Sequence, residues 1–345
     1  MTGWFSLGLD TFRFLAAFGV ALCHSTILAP CMRMFSPIDG EVMVLCFFVL
    51  SGYFIAYTTD WKKRDGMNYA VARLSRIYSV LIPALLLTEL LVRCGYALDS
   101  DYYKHWIQQD FSRNLLTLFN LQTLWYLDWN PMSNHPLWSL AYECWYYLIF
   151  GLFCFLPKSK WRWGLIGLAC LVAGPKILTL MIVWLMGVVC YRCHNRYKTV
   201  PWAARLGVIL SLLPLIFFAF YAKENPLCPH YFSDGDGRLF KEILCGLCTM
   251  LIVFFLRDAL PKSTPPQWCA KAAQGAAGFS FSLYVINYPV LLFGNVWPLS
   301  FSPELQTLVV NHMRVYSWLY FFGTIFFAWV FSLATERQKN TLPDG

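Results

Sequence analysis

The long apolar runs constrain this chain before anything else does. Stretches able to span about 30 Å of hydrocarbon at ~1.5 Å per residue lie near residues 8–29, 41–58, 74–94, 136–156, 203–222, 239–257, 277–297 and 312–334. In lipid each run must satisfy its own backbone hydrogen bonds, so each is expected to be a transmembrane α-helix. The stretch 163–193 is too long for one ordinary span and is interrupted by Gly174-Pro175, a pair that breaks a helix. Read as two short spans, 163–174 and 176–193, it brings the total to ten. The expected fold is all-α: a polytopic membrane helix bundle of about ten transmembrane helices, one domain over 1–345, with both termini cytoplasmic. The 13% charged fraction is about half that of an ordinary soluble domain, which excludes a soluble enzyme, a disordered chain and a disulfide scaffold.

The net charge of +8 first suggests a surface for nucleic acid or acidic ligands. Charge placement favours a different reading. With ten spans and an inside N-terminus, the basic segments 62–76, 158–162, 192–205, 257–271 and 337–339 all face the cytoplasm. The inside then holds about twice as many Lys and Arg as the outside. Nine spans would turn 196–205 and 257–271 outward. The excess charge is therefore an orientation signal; membrane lipids are expected as partners and nucleic acid is not. Of the 13 Cys, most lie inside apolar runs and read as packing residues. Cys190/Cys193 and Cys245/Cys248 have C-x-x-C spacing without a second ligand pair, so no metal site is expected. No cleavable signal peptide is expected, because the first apolar run contains Asp10, Arg13 and His24 and no basic stretch precedes it.

The largest outer connection, 95–135, mixes Tyr102, Tyr103, Trp106, Trp125, Tyr126 and Trp129 with Asp99, Asp101, Asp110 and Asp128. Its middle, roughly 112–127, suits an interfacial or re-entrant helix. The aromatics read either as an interfacial belt or as a stacking platform for sugar rings.

An ionisable side chain inside a span costs roughly 2.5–3.5 kcal/mol even on lenient scales, so each asks for a reason. Arg13 and His24 are eleven residues apart, which places them on one helix face about 16 Å apart along the axis. Asp10 sits one turn before Arg13 and can pair with it. In the fourth span, Glu143 lies at nearly the depth of His24; a carboxylate near an imidazole fixes its tautomer and makes it a general base. Arg73 and Arg76 open the third span on one face, with Lys62, Lys63 and Arg64 upstream, and arginine forks suit phosphates. Each feature also has a structural reading: snorkelling for Arg13, a bundle hydrogen bond for His24, a topology signal for the arginines. Together they describe a polar path from a cationic cytoplasmic mouth to a histidine and a carboxylate in the outer half. Such a path suits a phosphate-bearing cytosolic donor, or a proton-coupled transporter.

Four strings, in order along the chain, resemble the acyltransferase 3 family of integral-membrane O-acyltransferases. Leu9-Asp10 through Arg13 to His24 is similar to its first-span motif. Phe47-Phe48-Val49-Leu50-Ser51-Gly52 is similar to FFxLSG, Arg73-Leu74-Ser75-Arg76-Ile77-Tyr78 to its arginine motif, and Trp138-Ser139-Leu140 with Glu143 to WSLxxE. Two departures stand out: Asn287 in SFSLYVINYPV where the family usually has His, and Pro83 five residues after Tyr78 where the family often has Pro directly after the arginine motif. The resemblance implies the stand-alone form, without an appended hydrolase-like domain, and a family-terminal acid at Glu336.

The resemblance further implies acetyl-CoA as donor, its phosphates held by Arg73 and Arg76 with Arg13 a further candidate. His24 would be the catalytic base, aided by Glu143, and no metal is needed. The acceptor would be a saccharide hydroxyl, free or in lipid-linked form, of a lipopolysaccharide or exopolysaccharide. The location would be the bacterial inner membrane. Ser51 and Ser139 read as helix-packing serines. A transporter or flippase of a glycan precursor is the rival reading, and a glycosyl polymerase, which would want a longer polar outer loop, is a third.

Overall fold

The computed structural model describes residues 3–28, 32, 38–62, 65–107, 110–220 and 235–336. Lys63, Arg64, Arg33, Lys223, Arg337 and Lys339, which entered the orientation argument, lie outside the described residues.

Every regular element among the described residues is helical: α1 (Trp4–Ser25), α2 (Gly40–Lys62), α3 (Gly66–Leu98), α4 (Ser100–Ile107), α5 (Asp110–Leu118), α6 (Trp138–Phe155), α7 (Lys160–Ala173), α8 (Pro175–Arg196), α9 (Pro201–Phe220), α10 (Gly235–Ala259), α11 (Gln267–Phe293), α12 (Pro303–Asn311) and α13 (Met313–Thr335). Two 3₁₀ turns, Met132–Leu137 and Trp297–Ser300, complete the set. Nine of the described stretches, α1, α2, α3, α6 with the 3₁₀ turn before it, α8, α9, α10, α11 and α13, are long and apolar enough to cross a membrane. The chain is a polytopic all-α bundle. The predicted interruption is present: Gly174 separates α7 from α8 with φ 84°, a conformation that suits glycine. Pro175 then opens α8, where its missing N–H costs nothing. At 14 residues, α7 is about 21 Å long and falls short of the nine.

The interfacial helix expected over 112–127 is shorter than that. It ends at Leu118, and residues 119–131 form an irregular loop. Asn120 and Trp125 there adopt φ of 56° and 57°, which no helix accommodates. On α5 and just beyond it, Phe111, Leu115 and Phe119 are exposed while Asn114 and Thr117 are buried, the inverse of a water-facing helix and the pattern of one whose apolar stripe meets lipid.

The chain divides into two compact units. The first comprises residues 1–20, 37–69 and 148–277. In it α2 lies against α8 so closely that a Cβ on Gly52 or Gly187 would run into the facing main chain at Trp184 or Val49. Ser51 accepts a hydrogen bond from Trp184 Nε1 at 3.2 Å. The core around Leu9, Leu50, Tyr53, Ala56, Cys190 and Val253 closes over His194. That imidazole donates from Nε2 to the Phe254 carbonyl at 2.9 Å and accepts from Tyr53 at 2.8 Å on Nδ1. Lys241 of α10 pairs with Asp39 at 3.0 Å and with Glu41 of α2 at 2.9 Å, and Arg238 pairs with Glu41 and Glu242.

The second unit comprises residues 21–36, 70–147 and 278–345. Here α13 is fastened to the end of α11 by Tyr316 and Tyr320, which donate to the carbonyls of Gly294 and Val290 at 2.6 and 2.9 Å. Glu336, at the end of α13, accepts from both the backbone N–H and the hydroxyl of Ser282 at 2.9 and 2.5 Å. Val92, Tyr103, Leu292 and Val296 form a further core.

Candidate active site

The second unit holds His24, Arg73, Arg76 and Glu143, and it assembles them in two clusters. The first is built on the end of α1 and the middle of α11. His24 Nδ1 lies 2.6 Å from Asn287 Oδ1. Both protons of the Asn287 amide are committed, to the Leu283 carbonyl at 2.7 Å and the Tyr284 carbonyl at 2.8 Å. The amide therefore presents its oxygen to the ring, and an oxygen only accepts. In the neutral imidazole the proton sits on Nδ1, and Nε2 keeps its lone pair. Tyr288 meets the same ring edge-on at 5.1 Å between centroids. Asn287 is fully buried, so its orientation is set by helix geometry and not by solvent.

The second cluster is built on the start of α3 and the first turns of α6. Tyr147 donates its hydroxyl to Glu143, one turn earlier on α6. The guanidinium of Arg73 lies over the Tyr147 ring at 6.0 Å, within cation–π range. Arg73 is buried, whereas Arg76, one turn on, is only partly so. The helix starts earlier than the sequence suggested, at Gly66, so the two arginines lie two to three turns into it; one is buried and one partly exposed, and guanidinium groups of this kind suit an anion.

A hydrogen-bonded bridge lies between the clusters. Tyr284 donates to the Pro136 carbonyl at 2.8 Å, which uses its one proton. The Ser139 hydroxyl, 2.6 Å away, is therefore the donor to Tyr284 oxygen. Ser139 lies one turn before Glu143 on α6, and Tyr284 one turn before Asn287 on α11. A serine whose proton is spent in this way is a packing residue.

Sequence leaves open whether Glu143 touches His24. In the structure Asn287 holds the imidazole, and Glu143 accepts from Tyr147, whose ring lies beneath Arg73. Matching depth on two helices says nothing about which helices are neighbours. Asn287, Tyr147 and Tyr284 were missed as site residues, although the departure at Asn287 from the usual family residue was a visible signal. Arg13 belongs to the first unit, on the same unbroken helix as His24, and Asp10 is within electrostatic reach of it.

A basic nitrogen fixed by a buried amide, a pair of arginines one turn apart on α3 and an all-helical membrane body invite comparison with known families. The acyltransferase 3 model, described as an acyltransferase domain, matches residues 6–333.

The chain belongs to the acyltransferase 3 family.

The match takes in both units and every residue of the two clusters. Family membership supports a multi-pass membrane acyltransferase. No curated protein and no solved structure matches the chain. Within the family pattern, the glycine of FFxLSG now has a physical reason, the backbone contact of α2 with α8 at Gly52, and the serine of WSLxxE has another, its bond to Tyr284.

Proposed function

We propose that this acyltransferase moves an acetyl group from cytosolic acetyl-CoA to a hydroxyl of a cell-surface or exported saccharide, in the inner membrane of a bacterium. His24 is the general base in this reading. Its Nε2 takes the proton of the acceptor hydroxyl as the oxygen attacks the thioester carbonyl. The C–S bond of the tetrahedral intermediate then breaks, and the departing thiolate recovers the proton from the imidazolium. Asn287 keeps Nδ1–H oriented throughout, the role a third residue plays in hydrolase triads. Arg73 and Arg76 bind the donor phosphates, and Glu143 with Tyr147 holds Arg73 in place. The chemistry needs no metal, since a thioester is already an activated acyl group.

The observation that supports this most is the fixed His24–Asn287 pair, which leaves one basic nitrogen available in a protein of an acyl-transferring family. The test is chemical. Surface glycan from cells with and without the protein is treated with dilute base and the released acetate is measured. The wild type is expected to add ester-linked acetate and His24→Ala to add none while inserting normally. Full acetate from His24→Ala overturns the base assignment. Glycan lacking acetate in wild-type cells points instead to the transporter reading.

A further inference from the structure

The loop between α5 and α6 exposes five consecutive side chains, Trp125 to Trp129, between the buried shoulders Gln122, Thr123 and Asn130. Tyr126 is 76% exposed and Trp129 52%. Trp125 holds φ 57°, a left-handed conformation costing a bulky residue about 1–2 kcal/mol. Trp129 N–H closes the loop on the Gln122 carbonyl at 3.0 Å, and Leu127 N–H on that of Leu124 at 2.9 Å. Strain of this kind persists only where surrounding structure enforces it.

A lipid-facing belt explains this poorly, because the same connection already shows what lipid requires: the Phe111, Leu115 and Phe119 stripe of α5 is purely apolar and regularly spaced. The loop is different in kind. Asp128 Oδ1 accepts from Asn130 at 2.6 Å and lies 3.5 Å from His135 Nε2. Both Asp128 and His135 are more than half exposed. A carboxylate–imidazole edge beside open aromatic faces is costly against acyl chains. It suits a ring with an apolar C–H face and hydroxyls around its rim. The shoulders add a second sign. Gln122, Asn130 and Asn134 each spend their amide N–H on protein acceptors, yet their side-chain oxygens, and that of Thr123, meet no donor among the described residues. Buried acceptors without donors are rare and cost about 1–3 kcal/mol each. Hydroxyl groups are donors, and these oxygens are the acceptors nearest the loop that still lack one.

Position completes the case. The 3₁₀ turn that follows the loop is fastened to α11 by Asn134 to the Val285 carbonyl at 3.0 Å and by Tyr284 to the Pro136 carbonyl at 2.8 Å. Asn287, which holds His24, is less than one turn beyond Val285. The geometry points to residues 122–135 as a saccharide-binding subsite, with Trp125 and Trp129 stacking on the sugar and Asp128 and His135 binding its hydroxyls. This rests on the proposed transfer to a saccharide and names where that acceptor is held.

The test is binding, independent of catalysis. The full chain in detergent is titrated with de-esterified surface polysaccharide from its own host by calorimetry. The wild type is expected to bind, and Trp125→Ala, Trp129→Ala and Asp128→Asn each to bind about tenfold more weakly. Trp125→Phe, which keeps an aromatic face, should stay within about threefold and guards against misfolding. No wild-type binding, or binding indifferent to both tryptophans, overturns the proposal. So does brominated phospholipid in nanodiscs quenching fluorescence that Trp125→Phe and Trp129→Phe remove, because that puts the rings in lipid. Polysaccharide binding without any ester-linked acetate leaves the subsite standing and removes the transfer reaction. Acetylation with binding that ignores the loop does the reverse.

Discussion

At the scale of single residues, the site depends on which proton is committed where. Asn287 has spent both amide protons on its own helix, so it can hold His24 in one tautomer but cannot carry a proton away. Asn287→Ala removes the tether and leaves a ring free to rotate. Taking the order found for outer partners of metal-bound histidines, about 10–100-fold, kcat for glycan acetylation should fall by that much while the KM for acetyl-CoA barely moves. Tyr147 makes the opposite prediction. Tyr147→Phe keeps the ring under Arg73 but takes a hydrogen bond from the Glu143 carboxylate, a loss of about 1.5–3 kcal/mol for a charged acceptor. The KM for acetyl-CoA should rise and kcat change little, as steady-state kinetics with varied donor would show. These two residues also mark where sequence reasoning stopped. His24, Arg73, Arg76 and Glu143 were legible because charge in a span is expensive and needs a reason. Their partners were harder to read: a tyrosine or asparagine in a span needs a partner, but the sequence does not say which, and Asn287 stood out only as a departure from the usual family residue.

At the scale of elements, the helices were readable because a backbone in lipid has few alternatives to the α-helix, and because Gly174-Pro175 punctuates the one ambiguous run. The end of α5 was not readable: amphipathic spacing continues past Leu118, but Asn120 and Trp125 turn left-handed and end the helix where composition alone would carry it on. Packing between helices is where small residues matter most. Gly52 and Gly187 meet the opposing main chain of α8 and α2, which cannot yield as a flexible side chain would. Without a hydrophobic drive between helices in lipid, such close approach is a main source of association. Gly52→Ala and Gly187→Ala should each destabilise by about 1–3 kcal/mol or more, seen as a lowered Tm in detergent. Gly164→Ala, with open space around its Cβ position, should leave Tm unchanged or slightly raised.

At the scale of the whole molecule, the number of crossings turns on α7. By length it falls about 9 Å short of a 30 Å hydrocarbon layer, and a count by length alone gives nine spans among the described residues, an odd number that would put the two ends on opposite sides. Charge and aromatic placement argue against that. The helices α7, α9 and α11 begin with Lys160-Trp161-Arg162, Pro201-Trp202 followed by Arg205, and Gln267-Trp268 followed by Lys271. Trp161, Trp202 and Trp268 are each at least 70% exposed. Tryptophan marks a membrane interface on either side and Lys or Arg favours the cytoplasmic one, so all three starts are expected on that side. For α7 and α9 to begin on the same face, the chain must cross twice between them, once in α7 and once in α8. A short span achieves this by thinning the bilayer locally, at a cost of fractions of a kcal/mol per Å of mismatch, less than that of placing the 192–205 cations on the wrong side. Reporter fusions after Lys158, Lys198 and Lys262 should therefore all signal the cytoplasm, and one after Lys176 the opposite face. Cytoplasmic signals at both Lys158 and Lys176, with an outward one at Lys198, would make α7 a surface helix and reverse every crossing after it.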